Sequence, residues 1–460
     1  MHPDQGKPIP NTHIMIREQE MRFVMEAVAN GDCASLVGLS NMGKSSLLRE
    51  LGTPAARKHF RCNDDWTFVY VDCNLMPERS EQALHEVILR SLLSTLRRNT
   101  PNSKAQDKLI ESLSGLYQQV VQPSSPIRSP LAFDDALGLV CEQPGKTLTI
   151  GFDELDDPFA HLSGRVFLNL RAVKDKFAQS ISFVTATDKP LSEIRSDGEA
   201  SEFIELFADR VQWIGLLNQS DSRRVVTDAA KAEASKLHEE EIAFIVEQAG
   251  GHAALLGAVT NVWRRIASGA PDAARKQALS LIAQALDSDP TVRAECIKLW
   301  TQLTTEEHDA LAALVDGKRV DANMLAGLRT KRLWPADEAG GVVVGEVLRN
   351  FAKRQALTRP GQPLGVQVDI DAGEVSVDGR TVEALTELEY KLLLLLYGRL
   401  NKIVDKYTIV TNVWGENYLD SVDDARIEKL VSRLRGKLEP DVAEPKYLVT
   451  LRGRGYKLLG

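Results

Sequence analysis

The stretch ASLVGLSNMGKSSLLREL, residues 34–51, decides the fold of the first half of this chain. Gly38 to Ser45 within it matches the pattern GxxxxGK[ST]. A short apolar run, CASLVG (33–38), precedes the pattern, and a helical sequence opens directly after it. Phosphate chemistry needs that order. Glycines let a backbone wrap an anion, and the first N–H groups of a helix have no partners within the helix and point toward it. Gly38, Asn41 and Gly43 form the expected cradle, with Ser46 in the first helical turn. Lys44 is placed to reach the β- and γ-phosphates of ATP, and the Ser45 hydroxyl to ligate Mg2+.

Three more runs of the same kind follow: WTFVYVD (66–72), TLTIGFD (147–153) and ISFVTATD (181–188). They are continuously apolar rather than alternating, which suits parallel strands covered by helices on both faces. The expected fold over residues 13–199 is therefore an α/β P-loop core built on a parallel sheet. TLTIGFD ends in the acidic pair Asp153-Glu154. Asp153 is expected to hold Mg2+ through water, and Glu154 to orient and deprotonate an attacking water. Thr187 and Asp188 end another strand and are placed to touch the γ-phosphate or that water, with Thr187 the catalytic candidate. Arg17, about one helix before the first strand, is assigned to the nucleotide. Glu18 follows it, and Arg165 and Arg171, on a helix after Asp153, are the further candidates for an arginine finger, each arginine read first as part of a solvated basic face.

Composition bounds what else the chain does. At roughly 100–200 residues per domain, 460 residues imply three or four domains. A hydrophobic share of 43% and a charged share of 26% are those of an ordinary globular protein. The five cysteines contain no CxxC pair, so neither a disulfide framework nor a zinc site is expected, and a reducing, cytoplasmic setting fits. Residues 1–12 are polar and lack the apolar core of a signal peptide. The longest apolar run, 392–397, is far below the ~20 residues needed to cross a bilayer, and no membrane partner is expected.

Beyond the core, residues 200–289 read as helical and residues 290–355 as a small winged helix. In the latter, Thr304 and Glu307 form a capping box and a hairpin is expected through Gly340–Gly341. The Pro/Gly-rich ALTRPGQPL (356–364) is a linker, and 365–460 form a last α+β domain of short strands, three helices and a hairpin. In its third helix Ile427, Val431, Leu434 and Leu438 recur at three and four spacing, one buried stripe. From Arg426 to Lys457 nine basic residues face four acidic ones, although the whole chain carries −8. Positive charge gathered on one helix and one hairpin is a phosphate footprint. Arg452 and Arg454, on a glycine-loosened turn, suit a minor groove.

Two resemblances rest on these motifs. The order HIMIREQEM, GLSNMGKSSLL, FVYVDC, TIGFDELD and FVTATD, followed by LLNQSDSRRVV, GGHAALL and IKLWTQLTTEEHDAL, resembles the STAND class of AAA-related signalling ATPases over residues 13–355. The resemblance implies a helical lid at 200–289, in which Ala253 replaces the proline of that class. It also implies a switch that closes on ATP, opens on hydrolysis or exchange and often self-associates. LTELEYKLL, VDKYTIVTNVWG, ARIEKLVSRLRGKLEPD and YLVTLRGRGYKL resemble the OmpR/PhoB-type winged helix of bacterial response regulators. That resemblance implies a recognition helix at 425–438 in the major groove of double-stranded DNA, with Arg426, Lys429, Ser432, Arg433, Arg435 and Lys437 on the DNA side. Arg452 and Arg454 become the wing, and the loop 415–423 a contact for RNA polymerase. Leu430 stands where many relatives carry a polar, DNA-facing residue. The combined reading is an ATP-dependent transcription regulator that forms homo-oligomers with ATP and answers an inducer ligand or protein. The alternative is a defence or stress sensor of the same ATPase class whose winged helix binds nucleic acid or a partner rather than a promoter.

Overall fold

The computed structural model describes residues 15–98, 103–232, 237–267, 275–334, 344–357, 365–369, 374–377, 380–383, 385–400, 402–415, 422, 424–439, 441, 445–451 and 453–459. The chain divides into two compact units, Met1–Ala352 and Lys353–Gly460.

The first unit is built on a five-stranded sheet in which every neighbouring pair is parallel. Its strands are β1 (Ala34–Val37), β2 (Trp66–Asp72), β3 (Thr147–Asp153), β4 (Ile181–Thr187) and β5 (Val211–Trp213), in the order β2-β3-β4-β1-β5. Both faces are covered. Ile181 and Phe183 of β4 pack into one apolar cluster with Ile150 and Phe152 of β3, while Val184 and Ala186 pack into the other with Leu36 of β1. Alternate residues of one strand thus enter opposite cores, and this double burial is why the strands read as unbroken apolar runs.

The four expected strands appear where the sequence placed them. β5 does not follow expectation, because it lies inside the stretch read as helical from residue 200 onward, and it extends the sheet past residue 199. It has only three residues, sits at the sheet edge beside β1 and is partly exposed, so it has no apolar run to reveal it. Helices fill the rest of the unit: Gln219–Ala232, Glu239–Ala249, Ala253–Ala267 and Arg275–Leu286, then Pro290–Thr301, Thr305–Val315 and Ala322–Thr330. The Thr304–Glu307 capping box forms as read. The hairpin expected through Gly340–Gly341 lies outside the described residues.

The second unit opens with a three-stranded antiparallel sheet, β6 (Val366–Asp369), β7 (Glu374–Val377) and β8 (Arg380–Thr381). Three helices follow, Glu387–Tyr397, Lys406–Val413 and Asp424–Leu438, and then the hairpin of β9 (Leu448–Leu451) and β10 (Gly455–Leu458). Leu392 and Leu396, Ile409 and Val413, and Ile427, Val431 and Leu434 bring the three helices into one core. The third helix passes into the hairpin through Glu439. Its buried carboxylate accepts hydrogen bonds from the backbone N–H groups of Lys446 (2.7 Å), Tyr447 (2.9 Å) and Leu448 (2.6 Å). Those amides lie at the start of β9, where the ladder to β10 is only beginning.

Glu439→Ala strips acceptors from these amides, and orphaned buried donors cost about 1–3 kcal/mol each. The expected loss is about 2 kcal/mol for the hairpin, on the order of thirtyfold in local opening. Hydrogen exchange of residues 446–458 in the full chain measures it, with the first unit's protection unchanged.

Candidate functional site

Gly38 leaves β1 where a Cβ would stand 2.4 Å from the Ile214 carbonyl oxygen, so only glycine passes. Five residues on, Gly43 (φ +96) turns the chain into the helix Lys44–Leu51, whose first turn has no side-chain cap. Asn41 also takes a positive φ, of 63°. The loop thereby curls around the head of Lys44, which is buried at 6% exposure. An ammonium has three donors and must satisfy them there. Lys44 Nζ donates to Gly38 O (2.7 Å), Leu39 O (3.2 Å) and Asp188 Oδ1 (2.6 Å). β4 lies between β1 and β3, so its end delivers Asp188 to the loop.

β3 delivers Asp153 to the same edge. Ser45 Oγ donates to Asp153 Oδ1 at 3.1 Å, and Tyr70 OH donates to Asp153 Oδ2 at 2.5 Å. Burial first, and then the Asp153 carboxylate, push the Tyr70 phenol well above its ordinary value. Glu154 follows with a left-handed backbone (φ 55) and an exposed side chain. Partial desolvation, then Asp153, Asp188 and Asp156, raise its carboxyl above the usual range, while Lys44 opposes them. A non-glycine residue in this conformation beside a loop of this kind suits a functional position.

One expected residue is placed differently. Thr187 is fully buried and its hydroxyl donates to Lys189 O (2.7 Å), so Asp188, and not Thr187, faces the loop. Arg17 is buried, with Nη2 donating to Met42 O (2.7 Å) and Gly215 O (2.6 Å), and its own N–H donating to Asp221 Oδ2 (3.0 Å). It ties the loop to the chain after β5. A cavity of about 500 Å³ opens beside the loop, with Arg17, Gly43, Ser46, Leu217 and Ala253 in its wall. Of the other arginines, Arg171 pairs with Asp175 and Glu202 O, while Arg165 stays exposed beside Glu199.

The contacts that sequence reading missed come from far along the chain. Gln302 accepts from Ser40 N (2.8 Å) through Oε1 and donates through Nε2 to Ser40 Oγ (2.6 Å) and Asp188 Oδ2 (2.7 Å). Asn41 Nδ2 donates to Glu295 Oε2 at 2.6 Å. Lys331, itself paired with buried Glu307 (2.6 Å), donates to Gln302 O at 3.2 Å. Nothing in the spacing of TQLTTEEHDAL marks Gln302, because its partner Ser40 is 262 residues away.

In the second unit Arg426, Lys429, Ser432 and Arg433 are exposed along the third helix. The other two assigned cations turn inward. Arg435 donates from Nε to Leu448 O (2.8 Å) and from Nη2 to Thr450 Oγ1 (2.7 Å), binding helix to hairpin. Lys437 pairs with buried Glu389 at 2.9 Å. Leu430, expected at the DNA-facing side, is buried at 5% exposure with the apolar stripe. Arg454 is exposed in the hairpin turn, whereas Arg452 and the loop 416–421 lie outside the described residues.

A P-loop on a parallel sheet, followed by three helices with a basic third member and a terminal hairpin, defines an α/β P-loop unit joined to a C-terminal winged-helix domain. Residues 379–458 match the family described as "Transcriptional regulatory protein, C terminal", and the second unit is a winged-helix DNA-binding domain of that type. The chain is 38% identical over 95 residues to the sensory transduction protein RegX3 of Mycobacterium tuberculosis, covering 21% of this chain and 40% of that protein. It is 38% identical over 109 residues to the response regulator ArlR of Staphylococcus saprophyticus, covering 24% of this chain and 48% of that one. The chain thus spans less than half the length of these relatives. Among solved structures, the Walker-type ATPase PABY2304 of Pyrococcus abyssi aligns over 75% of this chain and 99% of its own, at 17% identity and a TM-score of 0.46. The Klebsiella pneumoniae RstA DNA-binding domain, solved in complex with the RstA box, aligns over 21% and 91% at 28% identity and a TM-score of 0.19. Among the described residues no helix is long and apolar enough to cross a membrane.

The division of the basic residues is testable by stability alone. Lys437→Ala leaves the Glu389 carboxylate buried without its cation. With the pair partly solvated, the expected cost is about 2 kcal/mol, on the order of 10 °C in the melting of a domain this size. Arg433→Ala, on the exposed face, is expected to shift melting by less than about 2 °C. Calorimetry of the two variants decides it.

Proposed function

We propose that the chain is a transcription regulator in which ATP binding at the P-loop controls self-association and, through it, DNA binding by the winged helix. The observation that carries this reading is the seat of Gln302 on the loop. Ser40 N–H donates to Gln302, and Asp188 is shared between Lys44 and Gln302. A triphosphate that takes up Lys44 and the loop amides must displace both. Nucleotide and the 290–303 segment therefore compete for the same donors, and whatever favours one disfavours the other by an equal free energy. The STAND-like order of motifs supports the same reading, with the helices from Gln219 to Leu286 as lid.

Lys44 exchanges Asp188 for phosphate oxygens, and Ser46 and Gly43 lie at the cavity wall where the rest of a nucleotide fits. Ser45 and Asp153 offer the hard oxygen donors that suit Mg2+, either directly or through water. When bound, this ion neutralises charge on the β- and γ-phosphates. Glu154, whose carboxyl partial burial and the neighbouring acids raise above its ordinary value, accepts a proton from the attacking water. Slow hydrolysis then returns Gln302 to Ser40. Self-association sets several winged helices side by side, and linked binding raises avidity without new contacts. Lys429, Ser432 and Arg433, with Arg426, enter the major groove, and Arg454 with Arg452 serves the wing. The 415–423 loop meets RNA polymerase. An inducer acts on the lid or on the 290–355 segment, or through a partner protein.

DNA binding by the full chain, to its own upstream region and to a scrambled duplex, with ATP, ADP or no nucleotide, tests the reading. Specific binding that depends on ATP is the expected result. Lys44→Ala is expected to lose it, and Gln302→Ala to raise ATP affinity about tenfold, the usual scale of coupling between sites. Equal binding to both duplexes in every nucleotide state overturns the regulator in favour of the sensor reading. The double change Lys429→Ala with Arg433→Ala is expected to reduce the slope of log affinity against log salt by about two, with ATP binding unchanged.

A further inference from the structure

Asp153 accepts hydrogen bonds on both oxygens, from Ser45 on one and Tyr70 on the other. Tyr70 comes from β2, whose register sets Tyr70 opposite Gly151 and Asp72 opposite Asp153. Two residues apart, Tyr70 and Asp72 share a face of the sheet with Asp153. The Tyr70 hydroxyl also accepts from Arg49 Nη2 at 2.6 Å, and the Arg49 guanidinium lies 4.7 Å over the Tyr70 ring. Arginine has donors only. The phenol must meet it with a lone pair, so its single proton is committed to Asp153. The direction of the relay from Arg49 through Tyr70 to Asp153 is thereby fixed. Arg49 stands four residues after Ser45 on the same helix, the spacing that brings side chains to one helical face. One helix thus carries both the hydroxyl beside Asp153 and the cation that orients its tyrosine.

We propose that Tyr70 and Arg49 are positioning residues for a divalent cation held at Ser45 and Asp153. Tyr70 fixes the carboxylate so that its other oxygen stays with Ser45, and Arg49 fixes Tyr70. The inference rests on the nucleotide-and-magnesium reading of the P-loop. Arg49 has a second, opposing effect, since its charge repels a cation. That term is weak, because Arg49 Nη2 is 4.0 Å from Asp153 Oδ2 and its side chain is 56% exposed and screened by water. Orientation wins, but by less than at Tyr70.

ADP affinity of the full chain, measured by calorimetry across a Mg2+ titration and again in excess EDTA, tests this. Tyr70→Phe keeps the ring and loses only the hydroxyl. It is expected to raise the half-saturating Mg2+ concentration about tenfold or more, the usual effect of removing a group that orients a metal ligand. Its ADP affinity in EDTA should equal that of the wild type. Arg49→Ala is expected to shift the Mg2+ midpoint the same way by about threefold. An unshifted Mg2+ midpoint in Tyr70→Phe overturns the inference while the nucleotide site stands. Equal loss of ADP affinity with and without Mg2+ also overturns it, since the hydroxyl is then merely structural. A wild type that binds no ADP removes the underlying reading and the inference together.

Discussion

A buried ammonium is the constraint around which the first unit is arranged. Lys44 is nearly inaccessible and has its donors satisfied by two loop carbonyls and Asp188. For the carbonyls of Gly38 and Leu39 to turn inward, the loop must pass through left-handed backbone at Asn41 and Gly43. For Asp188 to be present, β4 must run between β1 and β3, although it follows β3 in the chain. A direct β1-β3 pairing would leave the lysine without its anion, and an unpaired buried charge costs several kcal/mol. Strand order and loop conformation are therefore tied to one requirement.

The arrangement also explains why a distant segment reaches the loop. Asp188 has two oxygens, and Lys44 uses one. The other accepts from Gln302, which adds a contact to Ser40 N–H. In the switch proposed above, this latch need not be strong. Each such bond contributes about 0.5–1.5 kcal/mol net, so the set is worth roughly 2–4 kcal/mol. A latch of that size biases the equilibrium by one to three powers of ten, which cellular nucleotide can overcome.

What was legible in the sequence was local. Four strands could be read because both faces of the sheet are buried, and the P-loop because its chemistry occupies eight consecutive residues. The edge strand Val211–Trp213 could not, since an exposed three-residue strand has neither period nor apolar run. Asp153 and Glu154 could be placed because they end a strand. Which of Thr187 and Asp188 faces the loop could not, because the chain leaves the strand at that point and the threonine hydroxyl turns to Lys189 O. Tyr70, Glu295 and Gln302 carry no local mark; only the fold brings Glu295 and Gln302 to the loop and Tyr70 to Asp153.

The basic helix makes the same point with charge. Counting residues from Arg426 to Lys457 gives an excess of cations, but a count does not separate the surface from the interior. Lys437 and Arg435 hold the helix to its neighbours, and the carboxylate of Glu439 is taken up by the β9 amides. One anion and two cations thus leave the exposed charge, and the outward face keeps Arg426, Lys429 and Arg433. Part of this is legible in the spacing of the helix. An amphipathic helix buries a stripe about 100° wide, three to four positions per two turns. Ile427, Leu430, Val431, Leu434 and Leu438 satisfy that pattern together. Leu430 therefore belongs to the core by its spacing, and its 5% exposure agrees.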